Sequence, residues 1–386
     1  MPARSAQLSR VAAPRTLRTL GVRLATIAGV AAVAVLALSA LLLAGGYDTA
    51  RALRALWEGS VGSSYALLSG TLVRATPLIL AGLAVALAFT AGVLNVGAEG
   101  QLLAGATAAA AVGVMTGAHF GAATPVIGLL AGVLGGAAWA LPAAYLRRRF
   151  GVLEVISTIM LNFVAIDLVG WLVRGPLQEP LRIYPQSSSI VAEAQLPKLV
   201  TGTRLHAGFL LALVAAVALW WMLRHMAAGF RVRASGANPA AAASAGRIDV
   251  PRTAALAFLT SGALAGLAGA VELSGVTYAL YENLSPGYGY TAIAVALLAR
   301  LDPLAVVVSG LVFGALEAGA GAMQRDAGVP SVIVSVVEAL IILVLLAGDW
   351  LRDQSIRAVL WFRGGPPLAA EGHHRGGGAS PSLGQP

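Results

Sequence analysis

The sequence contains no cysteine and a single lysine, Lys198. The first absence excludes disulfides, thiolate metal sites and a cysteine nucleophile, and it leaves the redox compartment unmarked. The second removes the phosphate-binding loop GxxxxGK[ST], because Lys198 stands in QLPKLV. Charge is scarce as well: 11% of residues are Asp, Glu, Lys or Arg, against about 25% in an ordinary soluble domain. The five histidines (His119, His206, His225, His373 and His374) have no metal-ligand spacing, and neither a Ser/His pair nor HExxH occurs in the apolar runs. Nothing in the chain points to covalent chemistry or to a metal.

What is abundant is apolar sequence. Hydrophobic residues make up 58% of the chain, the mean hydropathy is +0.80, and runs long enough to cross a bilayer recur from Leu24 to Leu346. The fold class expected is an all-α polytopic membrane protein of ten transmembrane spans, at 24–46, 65–91, 98–117, 122–146, 153–174, 206–224, 253–275, 288–300, 303–322 and 330–348. Residues 1–23 form a basic tail, and the apolar run after it is too long for a signal-peptide core, so it reads as an uncleaved anchor. Residues 24–350 form the membrane domain. Residues 351–386, rich in Gly and Pro and without apolar periodicity, read as a disordered tail.

Placing both termini in the cytoplasm puts 18 of the 26 basic residues inside. The loops assigned to the outside hold Arg51, Arg54, Arg174, Arg182, Lys198, Arg204 and Arg325, and Arg74 lies within a span. This bias obeys the positive-inside rule, so the net charge of +9 reflects topology rather than a nucleic-acid surface. The polar stretch 175–205 is then the one sizeable outer loop, either a seat for a delivery partner or a plain connector.

Cut between the fifth and sixth spans, the chain gives two five-helix halves of opposite orientation, that is, inverted repeats. The third span opens with LNVGAEGQ (Leu94 to Gln101) and its counterpart, the eighth, with LSPGYGYT (Leu284 to Thr291). Matching Gly-rich breaks in inverted halves point to a transporter's solute site, which Asn95, Glu99, Gln101, Tyr288 and Tyr290 would line or frame. Turns at the membrane surface account for either break taken singly. The segments GLLAGVLGGAAWA and SGALAGLAGA carry small residues at helical spacing, as faces for close packing. In the loop 225–252, Asn238 is an N-cap, Pro239 suits the first turn, Ala240 to Ala243 favour helix and Gly246 can end it in the left-handed conformation, so a short capped helix is expected there.

LNVGAEGQLLAGA, GVLEVISTIMLNFVA, the GANPAAAASAG loop and SPGYGYTAIAVALL, in this order between Pro77 and Leu346, resemble the permease subunits of bacterial nucleoside and simple-sugar ABC importers. That superfamily includes ribose and branched-chain amino acid permeases. The resemblance implies a ten-span protein of the bacterial inner membrane with no cofactor of its own. It also implies a second, homologous permease subunit, a separate ABC ATPase that binds ATP and Mg, and an extracytoplasmic solute-binding lipoprotein. It makes the loop around Gly236, Asn238, Pro239, Ala242 and Gly246 the ATPase docking element, and alternating access the mechanism. Asn162 in MLNF and Glu272 in GAVELSG match polar positions of the family, as pathway residues or as interhelical hydrogen-bonding groups. Thr291 and Ala292 depart from the family form GYGFDGIAVALLG, which leaves purine nucleoside, pyrimidine nucleoside and sugar open as solutes. The competing reading is a proton-coupled secondary transporter, motivated by Asp167, Glu317 and Glu338 within spans.

Overall fold

Apolar side chains gain little by leaving lipid for protein, so membrane helices associate where small residues let backbones approach and where polar groups find partners. The computed structural model describes residues 32, 35–115, 121, 123–330, 332–336 and 339. In chain order the helices are α1 (Val35–Ala44), α2 (Thr49–Ser60), α3 (Leu72–Thr90), α4 (Ala98–Met115), α5 (Thr124–Phe150), α6 (Glu154–Arg174), α7 (Gly208–His225), α8 (Ala227–Ala237), α9 (Pro239–Ser244), α10 (Val250–Glu272), α11 (Tyr288–Leu298) and α12 (Pro303–Ala327). A π-helical segment, Ala66–Thr71, leads into α3, and a second, Leu273–Thr277, prolongs α10.

Seven helices among the described residues are long and apolar enough to cross a membrane: Ala66–Thr90, Ala98–Met115, Thr124–Phe150, Glu154–Arg174, Gly208–His225, Val250–Thr277 and Pro303–Ala327. They fall on the second to seventh and the ninth expected spans. The tail 1–23, the start of the first span, His119, most of the tenth span with Glu338, and the tail 351–386 lie outside the described residues. The eighth span needs correction. Helix α11 has 11 residues, about 16 Å or half the bilayer core. The segment before it cannot be helical, because Asn283 and Gly287 are held at φ 59° and 103° on either side of Pro286.

Beyond Arg74, helix α3 is apolar on every side, and it is central: 83% of its most apolar window is buried, against 28% for α5 and α7. It packs on α7, α10, α11 and α12, while α10 packs on α3, α4 and α5. The two small-residue faces meet each other here. A methyl on Gly262 would lie 2.7 Å from the Ala140 Cβ, and one on Gly266 2.8 Å from the Gly136 Cα, so only glycine permits this approach.

Two elements differ from expectation. Residues 49–60 form α2, too polar and short to read as a span. It is capped by Asp48, whose carboxylate accepts from Arg51 N at 3.0 Å, and it lays Leu56 against Gly319 of α12. In the loop 225–252 there are two helices, α8 and α9, rather than one. Asn238 caps α9 as expected, accepting from Ala241 N at 3.0 Å. The left-handed residue is Arg247, φ 47°, and not Gly246, because Ile248 N donates to Ala242 O at 3.1 Å and so puts the Schellman turn one residue later.

Contacts sort the helix ends into two faces. On one, Arg147 pairs with Glu154 at 3.5 Å, Arg224 pairs with Asp302 at 3.1 Å, and α8 abuts the end of α3, with Gly236 against Thr90 and Gly92. This is the arginine-rich face. On the opposite face, Arg174 pairs with Glu282 at 2.7 Å. There the segment after α6 is bound to the stretch following α10 through Ser187 N to Leu280 O (2.7 Å), Ile190 N to Tyr278 O (2.8 Å) and Leu196 N to Ser274 O (2.9 Å).

Candidate functional site

A helix that begins inside a membrane exposes N–H groups that only protein can satisfy. At the first break Asn95, fully buried, closes an Asx turn by accepting from Gly97 N at 2.9 Å. Its Nδ2 donates to Gln101 Oε1 and to Ser261 Oγ, both at 2.8 Å, and Ser261 in turn donates to Ala84 O at 2.6 Å. One amide thus ties the break to α3, α4 and α10. Asn162 of α6 does the complementary work: its Oδ1 accepts from Gly100 N at 2.9 Å, capping α4, and its Nδ2 donates to Val96 O at 2.9 Å and to Tyr290 OH at 3.3 Å.

At the second break Ser285 Oγ accepts from Gly287 N at 3.2 Å and Tyr288 N at 3.0 Å. The next N–H, that of Gly289, donates to Glu99 Oε2 at 2.7 Å. Glu99 stands in the first turn of α4, so the positive ends of α4 and α11 share one buried carboxylate. The two N-termini touch backbone to backbone, since a methyl on Gly289 would overlap the N and Cα of Glu99. The structure therefore gathers Asn95, Glu99, Gln101, Asn162 and Tyr290 around the two breaks, where Asn95 with Gln101, Asn162 with Tyr290, and Glu99 each hold part of the broken backbone.

Glu272 and Tyr288 sit elsewhere, in a cavity of about 310 Å³ on the side of Arg174 and Glu282, away from the arginine-rich face. Both π-helical segments help to line it, Ser69 from the first and Val276 and Thr277 from the second; π turns displace side chains from the ordinary helical register and often mark functional sites. Arg74, Arg204, Tyr281, Asn283, Leu284 and Pro286 complete most of the wall. Arg74 pairs with Glu317 at 3.3 Å. Glu272 is 5% exposed, and no hydrogen bond or ion pair engages it among the described residues. His206 is buried against Gly275 beside the cavity wall, its Nδ1 accepting from Gly208 N at 3.2 Å. Burial and then the Arg204 charge lower its pKa to about 4.

Sequence reasoning did not single out Arg74, Arg204, Tyr281, Ser261, Ser285 or Gly289. A signal existed for Arg74, an arginine inside an apolar run. The rest are ordinary loop and helix residues until the tertiary structure aims them. Of the carboxylates considered for a proton relay, Glu317 is taken up by Arg74 and Asp167 lies exposed on α6. Gly236, Asn238, Pro239, Ala242 and Gly246 belong to the other face: Gly236 is against Thr90 and Gly92, Ala242 is buried, and Asn238, Pro239 and Gly246 are exposed.

Residues 67–346 match the family model described as branched-chain amino acid transport system / permease component. The chain belongs to this family. It is a permease subunit of an ABC-type importer, a multi-pass protein of the cell membrane, and ATP is hydrolysed by a partner. The permease is 39% identical to the glucose ABC transporter permease protein TsgB13 of Haloferax volcanii, over 74% of this chain and 77% of that one. It is 37% identical to the guanosine ABC transporter permease protein NupP of Bacillus subtilis, over 81% and 90% of the two chains. It is 31% identical to the nucleoside ABC transporter permease protein NupB of Lactococcus lactis, over 78% and 85%. No solved structure matches the permease significantly. Family membership assigns the energy source to ATP and removes the proton-coupled alternative.

Proposed function

We propose that this permease carries a nucleoside or a simple sugar inward by alternating access, beside a second, homologous permease and beneath an extracytoplasmic solute-binding lipoprotein. The solute class rests on the relatives, which are permeases for glucose, guanosine and nucleosides. The observation that carries the mechanism is the meeting of α4 and α11 on Glu99. In inverted halves these helices are counterparts, and the contact between their N-termini lies where a pseudo-two-fold axis would pass. The packing agrees, since α3 rests on α11 and α12 as its counterpart α10 rests on α4 and α5. Asn95, Glu99, Gln101 and Asn162 then frame the pathway by holding the broken helices, and Glu272, Tyr288 and Tyr290 present side chains to open space.

The arginine-rich face is the cytoplasmic one in this reading, with both termini on it and the loop 175–205 outside. The α8–α9 pair receives the ATPase. Exposed Ala240, Ala241 and Ala243 offer a small, flat surface to a groove, and Gly236 presses on Gly92, the entrance to the first break, so a push on α8 reaches the break directly. The test is a mild-detergent pull-down from native membranes, followed by reconstitution and uptake assays with labelled guanosine and glucose. Recovery of an ATPase and a second permease, with ATP-dependent uptake of either solute, is the expected result. A chain recovered alone overturns the proposal, and so does a complex that moves no nucleoside and no simple sugar.

A further inference from the structure

Glu272 presents an unusual combination. Its carboxylate is buried, yet no donor from the described residues reaches it, although burying a charge without hydrogen bonds is costly. The nearest cations do not remove the anomaly. Arg74 acts on Glu272 electrostatically but spends its guanidinium on Glu317, and Arg204 acts from an exposed position on the loop before α7. The carboxylate nonetheless lines a cavity, so its free acceptors face the space of about 310 Å³ rather than a protein partner.

The other walls restrict what fits that space. Arg204 and Glu272 stand on the wall with Arg74, whose charge is taken up by the adjoining Glu317, so cationic and acidic groups are interspersed and no single sign dominates the cavity. Ser69, Thr277 and Asn283 add small polar groups, Tyr281 and Tyr288 add aromatic rings, and Val73, Val276, Leu284 and Pro286 add apolar surface. The volume stands at the lower end of the range of about 300–1,000 Å³ for small-molecule sites, enough for one nucleoside or monosaccharide.

We infer that this cavity is an outward-facing vestibule within the single permease subunit that holds one neutral solute, and that the Glu272 carboxylate accepts paired hydrogen bonds from two adjacent donors on it. A vicinal diol, as in a ribose ring or a hexose, supplies that pair. The inference rests on the solute class and orientation proposed above. A carboxylate loses one accepting atom when it becomes an amide, and the amide nitrogen then opposes the solute's own donor.

The experiment uses the whole complex in proteoliposomes, with guanosine, uridine, ribose and glucose as labelled solutes. Glu272→Gln is expected to raise the apparent KM of the carried solute by about ten- to a hundredfold, the range for a hydrogen bond to a charged group, while the ATPase still copurifies. The 2′-deoxy analogue of a carried nucleoside, or the 2-deoxy analogue of a carried hexose, should compete poorly against wild type and lose that handicap against Glu272→Gln. Because the chain has no native cysteine, Val276→Cys places its only thiol in the cavity wall. A charged thiol reagent added outside should modify it, and the carried solute should slow the modification. An unchanged KM in Glu272→Gln, or a thiol modified at the same rate with and without carried solute, overturns the vestibule while leaving the importer reading intact. Uptake of none of the four solutes overturns both.

Discussion

Gly289→Ala tests the junction on which the fold of the two breaks depends. The new methyl would overlap Glu99 N and Cα, and even the third-nearest atom, the carbonyl carbon of Ala98, would lie at 2.7 Å. Restoring an ordinary contact near 3.4 Å parts α4 from α11 by at least about 0.7 Å, and all three obstacles are backbone that cannot rotate away. That shift lengthens the 2.7 Å bond from Gly289 N to Glu99 Oε2 to the edge of hydrogen bonding or beyond. The costs are about 1–3 kcal/mol for overpacking and about 1.5–3 kcal/mol for a charge-assisted bond, a total of about 2.5–6 kcal/mol. Gly128→Ala is the control, since a methyl there meets nothing within 4 Å and alanine favours helix by about 1 kcal/mol. Thermal unfolding in detergent, followed by intrinsic fluorescence, should give a markedly lower midpoint for Gly289→Ala and an unchanged or higher one for Gly128→Ala. Equal midpoints for Gly289→Ala and wild type would refute the junction.

Asn162→Leu leaves Gly100 N and Val96 O without their side-chain partner, at about 1–3 kcal/mol for each buried group, and should lower the same midpoint; a leucine variant as stable as wild type would return Asn162 to the pathway wall. His206 titrates near 4 when folded and near 6.5 when unfolded, so the unfolded chain binds the extra proton between these values and stability falls with pH below 6.5. By pH 5 the loss is about 2 kcal/mol, and it should be visible as a drop in midpoint from pH 7.5 that His206→Gln abolishes; equal drops in both proteins would exclude His206 as the cause. Arg74→Met strands Glu317 and should destabilise by about 1–3 kcal/mol, discounted for partial exposure, with the loss largely recovered in Arg74→Met/Glu317→Leu; an additive double-mutant cycle would deny the pairing. Ala240→Trp fills the exposed side of α9, and should leave the midpoint unchanged while releasing the ATPase in a pull-down; full retention would exclude that face from docking.

Much of this protein was legible early because hydropathy is a local property. The second to seventh and ninth spans begin and end within a few residues of their apolar runs, both breaks begin where Gly, Asn and Pro gather, and Asn238 with Pro239 opens α9. Local reasoning failed where composition was neutral. YGYTAIAVALL is as apolar as any full span, so only the left-handed Gly287 and the turn after Leu298 reveal a half-length helix. Helix α2 hid because its polar side outweighs the small residues it buries against α12.

The sequence by itself determined that the chain lives in a bilayer, where seven of its spans lie, that it carries no phosphate-binding loop of its own, and which positions interrupt its helices. Each of those follows from neighbouring residues and the solvent they can tolerate. Only the tertiary structure decided that Asn162 caps a helix begun some sixty residues earlier, that Glu99 serves two helix termini at once, and that Glu272 accepts no hydrogen bond among the described residues. A buried polar group is defined by what distant elements bring within about 3 Å of it, and no local pattern records that distance.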